Sequence, residues 1–101
     1  MTRSIIFTDD ALEILLSIKN YIEGQWGLRQ ADKFLKRVDK VLKLTAEFPY
    51  MYKASLIEDT VRKGLISKQT SFYYEIHENE ILILFFWDNR QDSIFTDEPI
   101  S

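Results

Sequence analysis

The stretch of sequence that decides the fold is VRKGLISKQTSFYYEIHENEILILFFWDNRQD, residues 61–92. Three segments in it read as strands: residues 61–67 are mixed apolar and basic, residues 70–76 are aromatic and β-branched, and residues 81–87 are apolar throughout. β-Branched and aromatic residues pack well on a pleated surface. The third segment, ILILFFW, has no polar residue, so we expect it to lie inside the sheet with both faces covered. The polar link HENE at 77–80 favours a short turn. The pattern therefore predicts three strands, the last two forming an antiparallel hairpin.

Two amphipathic helices are predicted between a short N-terminal strand, residues 3–7, and this sheet. Apolar residues recur at helical spacing over about residues 9–25 and again over 28–47. Gly24 or Gly27 can take the positive φ that ends the first helix, and Pro49 stops the second. The short link between them predicts an antiparallel helical hairpin. The expected fold class is α+β, with this hairpin packed on an antiparallel sheet in the order β-α-α-β-β-β, in a single domain of residues 1–101.

Two apolar features extend beyond this core pattern. Leu12 and Leu16 widen the apolar surface of the first helix, which indicates either two covering neighbours or an exposed strip that meets a partner. The tail at residues 93–101, SIFTDEPIS, is polar and acidic apart from Ile94 and Phe95. We expect this tail to be flexible. The alternative is that its apolar pair docks on the body of the protein or on a partner.

Composition excludes several classes of function. The net charge of −3 argues against indiscriminate binding to nucleic acid, which relies on summed positive charge. The absence of cysteine excludes disulfides and thiolate chemistry. The N-terminus lacks the apolar run of a signal peptide, and the apolar run at residues 81–87 is too short for a membrane helix. We therefore expect a soluble cytoplasmic protein that does not engage a membrane.

The residues available for chemistry are few. With one histidine and three glycines outside any motif spacing, the sequence predicts no metal site, no bound cofactor and no hydrolytic triad. What remains is a set of basic and aromatic residues on and beside the predicted sheet: Arg62, Lys63, Lys68, Tyr73, Tyr74 and Arg90. Such a set can hold phosphates and stack bases, or cleave RNA by orienting its 2′-hydroxyl and stabilising charge on the phosphate. Exposed basic residues on an edge strand also serve simply to prevent aggregation.

Several passages of the chain resemble the RelE/ParE superfamily of toxins from toxin–antitoxin systems. YIEGQWGLRQADKF at 21–34 is similar to the pattern Y-I-x-x-x-W-G-x-x-x-A-x-x-F that is common in that superfamily. Further similarity lies in Phe48-Pro49 after the second helix, in VRKGLISKQTSFYYEI at 61–76 and in ILILFFWDNRQD at 81–92. The resemblance covers roughly residues 5–92, and it includes the order and the spacing of these passages.

This resemblance implies a small toxin encoded beside an antitoxin, with a helical hairpin packed on a sheet and no small-molecule cofactor. It also implies a partner chain that wraps the toxin along the helical hairpin and the sheet edge. The residues that we expect to contact a partner are exposed apolar candidates on the first helix and on the sheet: Leu12, Leu16, Tyr73 and Trp87.

The superfamily contains two activities. RelE-like members cleave messenger RNA in the ribosome with basic residues on the central strands and a late tyrosine, whereas ParE-like members poison DNA gyrase. Arg62 and Arg90 fall near basic positions of the RelE-like set, but Gly64 and Ser71 stand where further basic residues are expected, and Phe95 replaces the tyrosine. The resemblance therefore favours a ParE-like toxin that binds gyrase.

Two alternatives stay open at this point. The first is a RelE-like, ribosome-dependent endoribonuclease that acts on messenger RNA with four basic residues: Arg62, Lys63, Lys68 and Arg90. The second is a diverged, non-toxic interaction module that kept the fold and lost the target.

Overall fold

A computed structural model describes residues 2–54 and 60–89 of the chain. Six elements follow one another: β1 (Ser4–Phe7), α1 (Asp9–Trp26), α2 (Leu28–Glu47), β2 (Val61–Leu65), β3 (Thr70–Ile76) and β4 (Glu80–Asp88). This is the predicted order, and the predicted α+β fold class is confirmed. β2 is shorter than predicted, because the chain turns at residues 66–69 before β3 begins.

The four strands form one sheet in the order β1-β4-β3-β2. β2, β3 and β4 pair antiparallel as predicted, but β1 pairs parallel with β4, so the sheet is mixed rather than antiparallel throughout. A parallel pair needs a long crossover connection, and here the helical hairpin with β2 and β3 provides it. The insertion of β1 beside β4 places β4 in the interior of the sheet, as its apolar sequence predicts.

The N-terminus of α1 is fixed on the sheet through Thr8. The Thr8 hydroxyl accepts a hydrogen bond from the amide of Ala11 at 3.0 Å, which caps the helix, and donates to the carbonyl of Leu84 at 2.7 Å. The pairing register of β3 and β4 shifts between Tyr73 and Tyr74, so Leu84 of β4 has no paired residue opposite it on β3. Its carbonyl is therefore free to hold the helix cap.

The link between the helices is a single residue, Gly27, at φ 97°. That left-handed conformation favours glycine, which confirms the predicted break. The buried core lies between the hairpin and one face of the sheet. From the sheet it includes the following side chains: Phe72, Tyr74, Ile81, Ile83 and Phe86. We call this side of the sheet the core face.

The opposite side of the sheet, which we call the open face, is only partly covered within the described residues. It carries Tyr73, Phe85 and Trp87, and Trp87 is 45% exposed. The prediction that the ILILFFW strand is covered on both faces is therefore wrong for the part of the chain that the structure describes, because both helices pack on one face. No helix in residues 2–54 and 60–89 combines the length and the apolar character needed to cross a membrane.

Candidate interaction surfaces

Arg62 and Lys63 are adjacent in β2 and lie on opposite faces of the sheet. In the register of the sheet Arg62 is opposite Tyr74 on the core face, and Lys63 is opposite Tyr73 on the open face. Successive side chains of a strand point to opposite faces, so the two cations lie on opposite surfaces of the sheet. The structure therefore divides the predicted basic set.

Arg62 belongs to the packing around the loop that follows α2. Its guanidinium donates to the carbonyl oxygen of Tyr52 and lies 4.9 Å from the centre of the Tyr50 ring. The side chain is partly buried, and Ala54 bridges to Arg62 from outside β2. Through the carbonyl acceptor and the cation–π contact, this arginine helps to hold the loop after α2 in place.

Tyr74 is fully buried beneath the same loop. Its hydroxyl donates a 2.6 Å hydrogen bond to the carbonyl oxygen of Pro49, and its ring packs on Phe72 at 5.4 Å between centres. Burial raises the pKa of Tyr74 to about 12, with the Arg62 charge opposing this shift and Tyr52 adding to it. Because its pKa is raised, the phenol stays protonated near neutral pH, and its proton is already donated to Pro49. Tyr74 is therefore a poor proton acceptor at that pH.

Gly64 shows why the basic set is incomplete on the core face. A Cβ atom at this position would lie within 2.5 Å of Phe72 Cε1 and 2.9 Å of Tyr52 Cε2. Both atoms belong to packed aromatic rings. A lysine, which the superfamily resemblance leads one to expect here, has no space unless these rings move.

A groove of about 420 Å³ lies on the open face. We call it the sheet groove. It is lined by residues of β2, β3, β4, the β2–β3 turn and the residue after β4: Lys63, Leu65, Lys68, Ser71, Tyr73, Phe85, Trp87 and Asn89. Tyr73 and Phe85 stack at 4.5 Å with 19° between their planes. The Lys63 ammonium lies 6.0 Å from the Tyr73 ring centre.

Two pairs of the predicted site residues thus meet in one place. Lys63 and Lys68 of the predicted catalytic set share the sheet groove with Tyr73 and Trp87 of the predicted partner set. Arg62 does not join them, and Arg90 lies outside the described residues. Sequence reasoning missed Leu65 and Phe85, although the strict alternation of sides in paired strands would have placed Phe85 with Trp87.

A second exposed apolar surface lies on the helical hairpin. Leu12 and Leu16 are 46% and 56% exposed, whereas Ala11 and Ile18 on the other side of α1 are buried. An antiparallel hairpin brings the start of α1 beside the end of α2, where Leu44 is also exposed. α1 therefore packs on the sheet and α2 and still presents an outer apolar strip to solvent.

The one histidine, His77, lies 3.2 Å from the Glu75 carboxylate at an exposed position. Within residues 2–54 and 60–89 no three histidine, cysteine or carboxylate side chains converge as a metal site would require.

One family of known proteins matches this chain in sequence. The sequence model of the family described as "ParE toxin of type II toxin-antitoxin system, parDE" matches residues 5–93. No curated protein matches the chain in sequence.

Solved structures show the same fold at low identity. A chain from the chromosomal ParDE system of P. aeruginosa superimposes with a TM-score of 0.73 at 18% identity, covering 86% of this chain and 96% of that one. A chain of the Staphylococcus aureus YoeB dimer gives 0.62 at 16% identity, covering 86% and 97%. A chain of the E. coli DinJ–YafQ toxin–antitoxin complex gives 0.60 at 6% identity, covering 94% and 99%.

Proposed function

The chain belongs to the ParE toxin family of type II toxin–antitoxin systems, and on that premise we propose that it acts by binding DNA gyrase and is neutralised by a cognate antitoxin. The proposal makes the chain a binding protein, without a reaction of its own. Its exposed surfaces, and not an enclosed cavity, then carry the function.

The observation that carries this proposal is the separation of Arg62 from Lys63. Cleavage of RNA by charge stabilisation needs several cations that converge on one phosphate. Arg62 is held on the core face by the Tyr52 carbonyl and the Tyr50 ring, while Lys63 is on the open face. Of the predicted basic set, the part that the structure describes brings only Lys63 and Lys68 to one groove.

The ionisable groups of the sheet groove are of few kinds. Within the described residues no carboxylate and no histidine lines it, and its ionisable members are Lys63, Lys68 and Tyr73. A surface of stacked aromatic rings with two cations at its margin fits the contact region of a protein partner, in which aromatic residues are enriched.

RNA cleavage is the second candidate, and one observation favours it. Lys63 and Lys68 lie beside the stacked rings of Tyr73 and Phe85, an arrangement that suits a phosphate with an adjoining base. In that case the RNA 2′-hydroxyl loses its proton to solvent and attacks the adjacent phosphorus, and the bond from phosphorus to the 5′-oxygen of the next nucleotide breaks. That oxygen takes up a proton from solvent, so the products are a 2′,3′-cyclic phosphate and a 5′-hydroxyl, while Lys63 and Lys68 stabilise the charge on the phosphate. The ribosome with its messenger RNA is then the target.

An antitoxin partner follows from the toxin class. The P. aeruginosa structure is of a ParDE system and the E. coli structure is a toxin–antitoxin complex. For this chain we propose that the antitoxin packs on the outer strip of α1 that carries Leu12 and Leu16. Both side chains are about half exposed on a helix that is otherwise anchored to the core.

A supercoiling assay with purified gyrase tests the leading proposal. Increasing amounts of the chain should inhibit supercoiling, and the product of the neighbouring antitoxin gene should restore it. Unchanged supercoiling at saturating toxin would rule out the gyrase target.

Primer extension on translated messages after induction tests the enzyme. New 5′ ends that disappear in Lys63→Ala and Lys68→Ala, but persist in the exposed helix variant Lys36→Ala, would establish RNA cleavage. Expression without growth arrest, together with intact antitoxin binding, would identify a non-toxic interaction module.

A further inference from the structure

The sheet groove has an exposed apolar surface. Trp87 is 45% and Leu65 is 52% exposed, on either side of Ser71. The stacked Tyr73 and Phe85 rings lie in the next row of the same face, beside Lys63. Contiguous aromatic surface of this kind marks a place where something docks. Its occupant must be apolar where the rings are and acidic where the lysines are.

The C-terminal segment starts at this groove. Asn89, the last residue of the described range, is part of the groove wall, and residues 90–101 follow it. Neighbouring strands lie about 4.8 Å apart, so the distance from β4 across β3 to β2 is roughly 10 Å. An extended chain spans about 3.3 Å per residue, so about three residues cross the groove. The tail is long enough to reach every residue of the lining.

The chemistry of the tail complements that of the groove. Ile94 and Phe95 are followed by Asp97 and Glu98, and residues 93–101 contain no basic residue. In the groove the cations are Lys63 and Lys68, and neither forms an ion pair within the described part of the chain. One surface offers rings and unpaired ammonium groups, and the segment beside it offers an apolar pair and carboxylates.

We propose that the tail, residues 93–101, docks in the sheet groove of its own chain. Ile94 and Phe95 cover the rings of Tyr73 and Trp87, and the acidic residues that follow lie beside the two groove lysines. The proposal holds whichever macromolecule is the target.

The emission of Trp87 tests this directly. The chain contains two tryptophans, so the background variant Trp26→Phe leaves Trp87 as the single reporter. Phenylalanine at position 26 keeps an aromatic ring beside Tyr21, which Trp26 contacts edge-on at 6.0 Å. In this background we compare the full chain, Phe95→Ala, the matched tail control Ile100→Ala, and a chain ending at Gln91.

The expected result is a shift of Trp87 emission to longer wavelength and stronger quenching by acrylamide in Phe95→Ala and in the shortened chain. Ile100→Ala should behave like the full chain. Added peptide of residues 90–101 should restore protection to the shortened chain, less so at high salt, because salt screens exposed charge pairs.

Three results would overturn the proposal. The first is equal quenching in the full chain and in Phe95→Ala, which is informative even if the shortened chain does not fold. The second is protection of Trp87 that appears only at high concentration with a doubled mass, which would assign the groove to a second copy. The third is protection that appears only when antitoxin is added, which would assign it to that partner.

Discussion

The hydroxyl of Tyr74 donates a 2.6 Å hydrogen bond to the carbonyl oxygen of Pro49, joining the middle of β3 to the second residue after the end of α2. Around this bond the Tyr52 ring packs edge-on to both Phe72 and Tyr74, at 6.0 and 6.5 Å. The loop after α2 is therefore part of the core at the β2 edge. Tyr74 and the neighbouring Arg62 both hold this loop against the sheet.

Tyr74→Phe should lower the free energy of unfolding by about 1–3 kcal/mol, because a buried acceptor loses its donor. Tyr73→Phe is the matched control in the same strand, on the open face, and should change stability by less than about 0.5 kcal/mol. Urea denaturation followed by circular dichroism measures both. Equal effects of the two substitutions would contradict the structural role of the Tyr74–Pro49 bond.

Alkaline pH should destabilise the fold through the same residue. Burial raises the pKa of Tyr74 to about 12 from the ordinary value of 10.0, so the folded state keeps a proton that the unfolded chain releases. This stability is complete below pH 10 and is lost as the pH rises from about 10 to 12. The loss amounts to roughly 2–3 kcal/mol at 1.36 kcal/mol per pH unit.

Unfolding free energies measured between pH 8 and 11.5 check this expectation. Tyr74→Phe should have a flatter profile above pH 10 than the unsubstituted chain, since phenylalanine has no proton to release. Tyr73→Phe should keep the steep decline. Parallel profiles for all three proteins would show that Tyr74 does not cause the alkaline loss.

Substitutions at Gly64 and Gly24 should change stability in opposite directions. Gly64→Ala places a Cβ against Phe72 and Tyr52, so we expect a loss of about 1–3 kcal/mol or more from overpacking. Gly24→Ala adds a methyl to an open position in α1 and should stabilise the fold by about 0.5–1 kcal/mol. Thermal unfolding of both variants measures this, and a stable Gly64→Ala protein would contradict the packing described here.

Much of the fold follows from local sequence signals. Helical spacing, the Gly27 break and the strand composition predict α1, α2 and the hairpin of β3 and β4, because each depends on neighbouring residues. The parallel position of β1 beside β4 is not in any local pattern. It depends on which edge of the sheet is left after the helices pack, and that is decided by tertiary contacts.

The candidate site was predictable in its residue types and less so in its grouping. Sequence reasoning selected Lys63, Lys68, Tyr73 and Trp87, which the structure brings together. It joined Arg62 to them because this residue is basic, lies on the predicted sheet and falls near a basic position of the RelE-like set, although alternation within a strand separates it from Lys63. The superfamily resemblance is confirmed by the family match over residues 5–93, while the roles of the individual residues stay predictions.

Arg62→Ala and Lys63→Ala should differ in what they affect. Arg62→Ala removes a partly buried cation that holds the Tyr52 carbonyl, so unfolding free energy should fall by about 1–3 kcal/mol. Lys63→Ala changes an exposed side chain and should leave stability within about 0.5 kcal/mol. Urea denaturation distinguishes them, and a large loss in Lys63→Ala with none in Arg62→Ala would reverse the assignment of faces.

Leu12→Ala and Leu16→Ala should each weaken antitoxin binding by about 1–2 kcal/mol, roughly tenfold or more in Kd, if the outer strip of α1 is the contact. Stability should change little, because both side chains are about half exposed and alanine suits a helix. Glu13→Ala, an exposed position on the same helix turn, is the matched control. Titration calorimetry with the purified antitoxin measures the three affinities. Unaltered binding in both leucine variants would move the antitoxin contact away from the outer strip of α1.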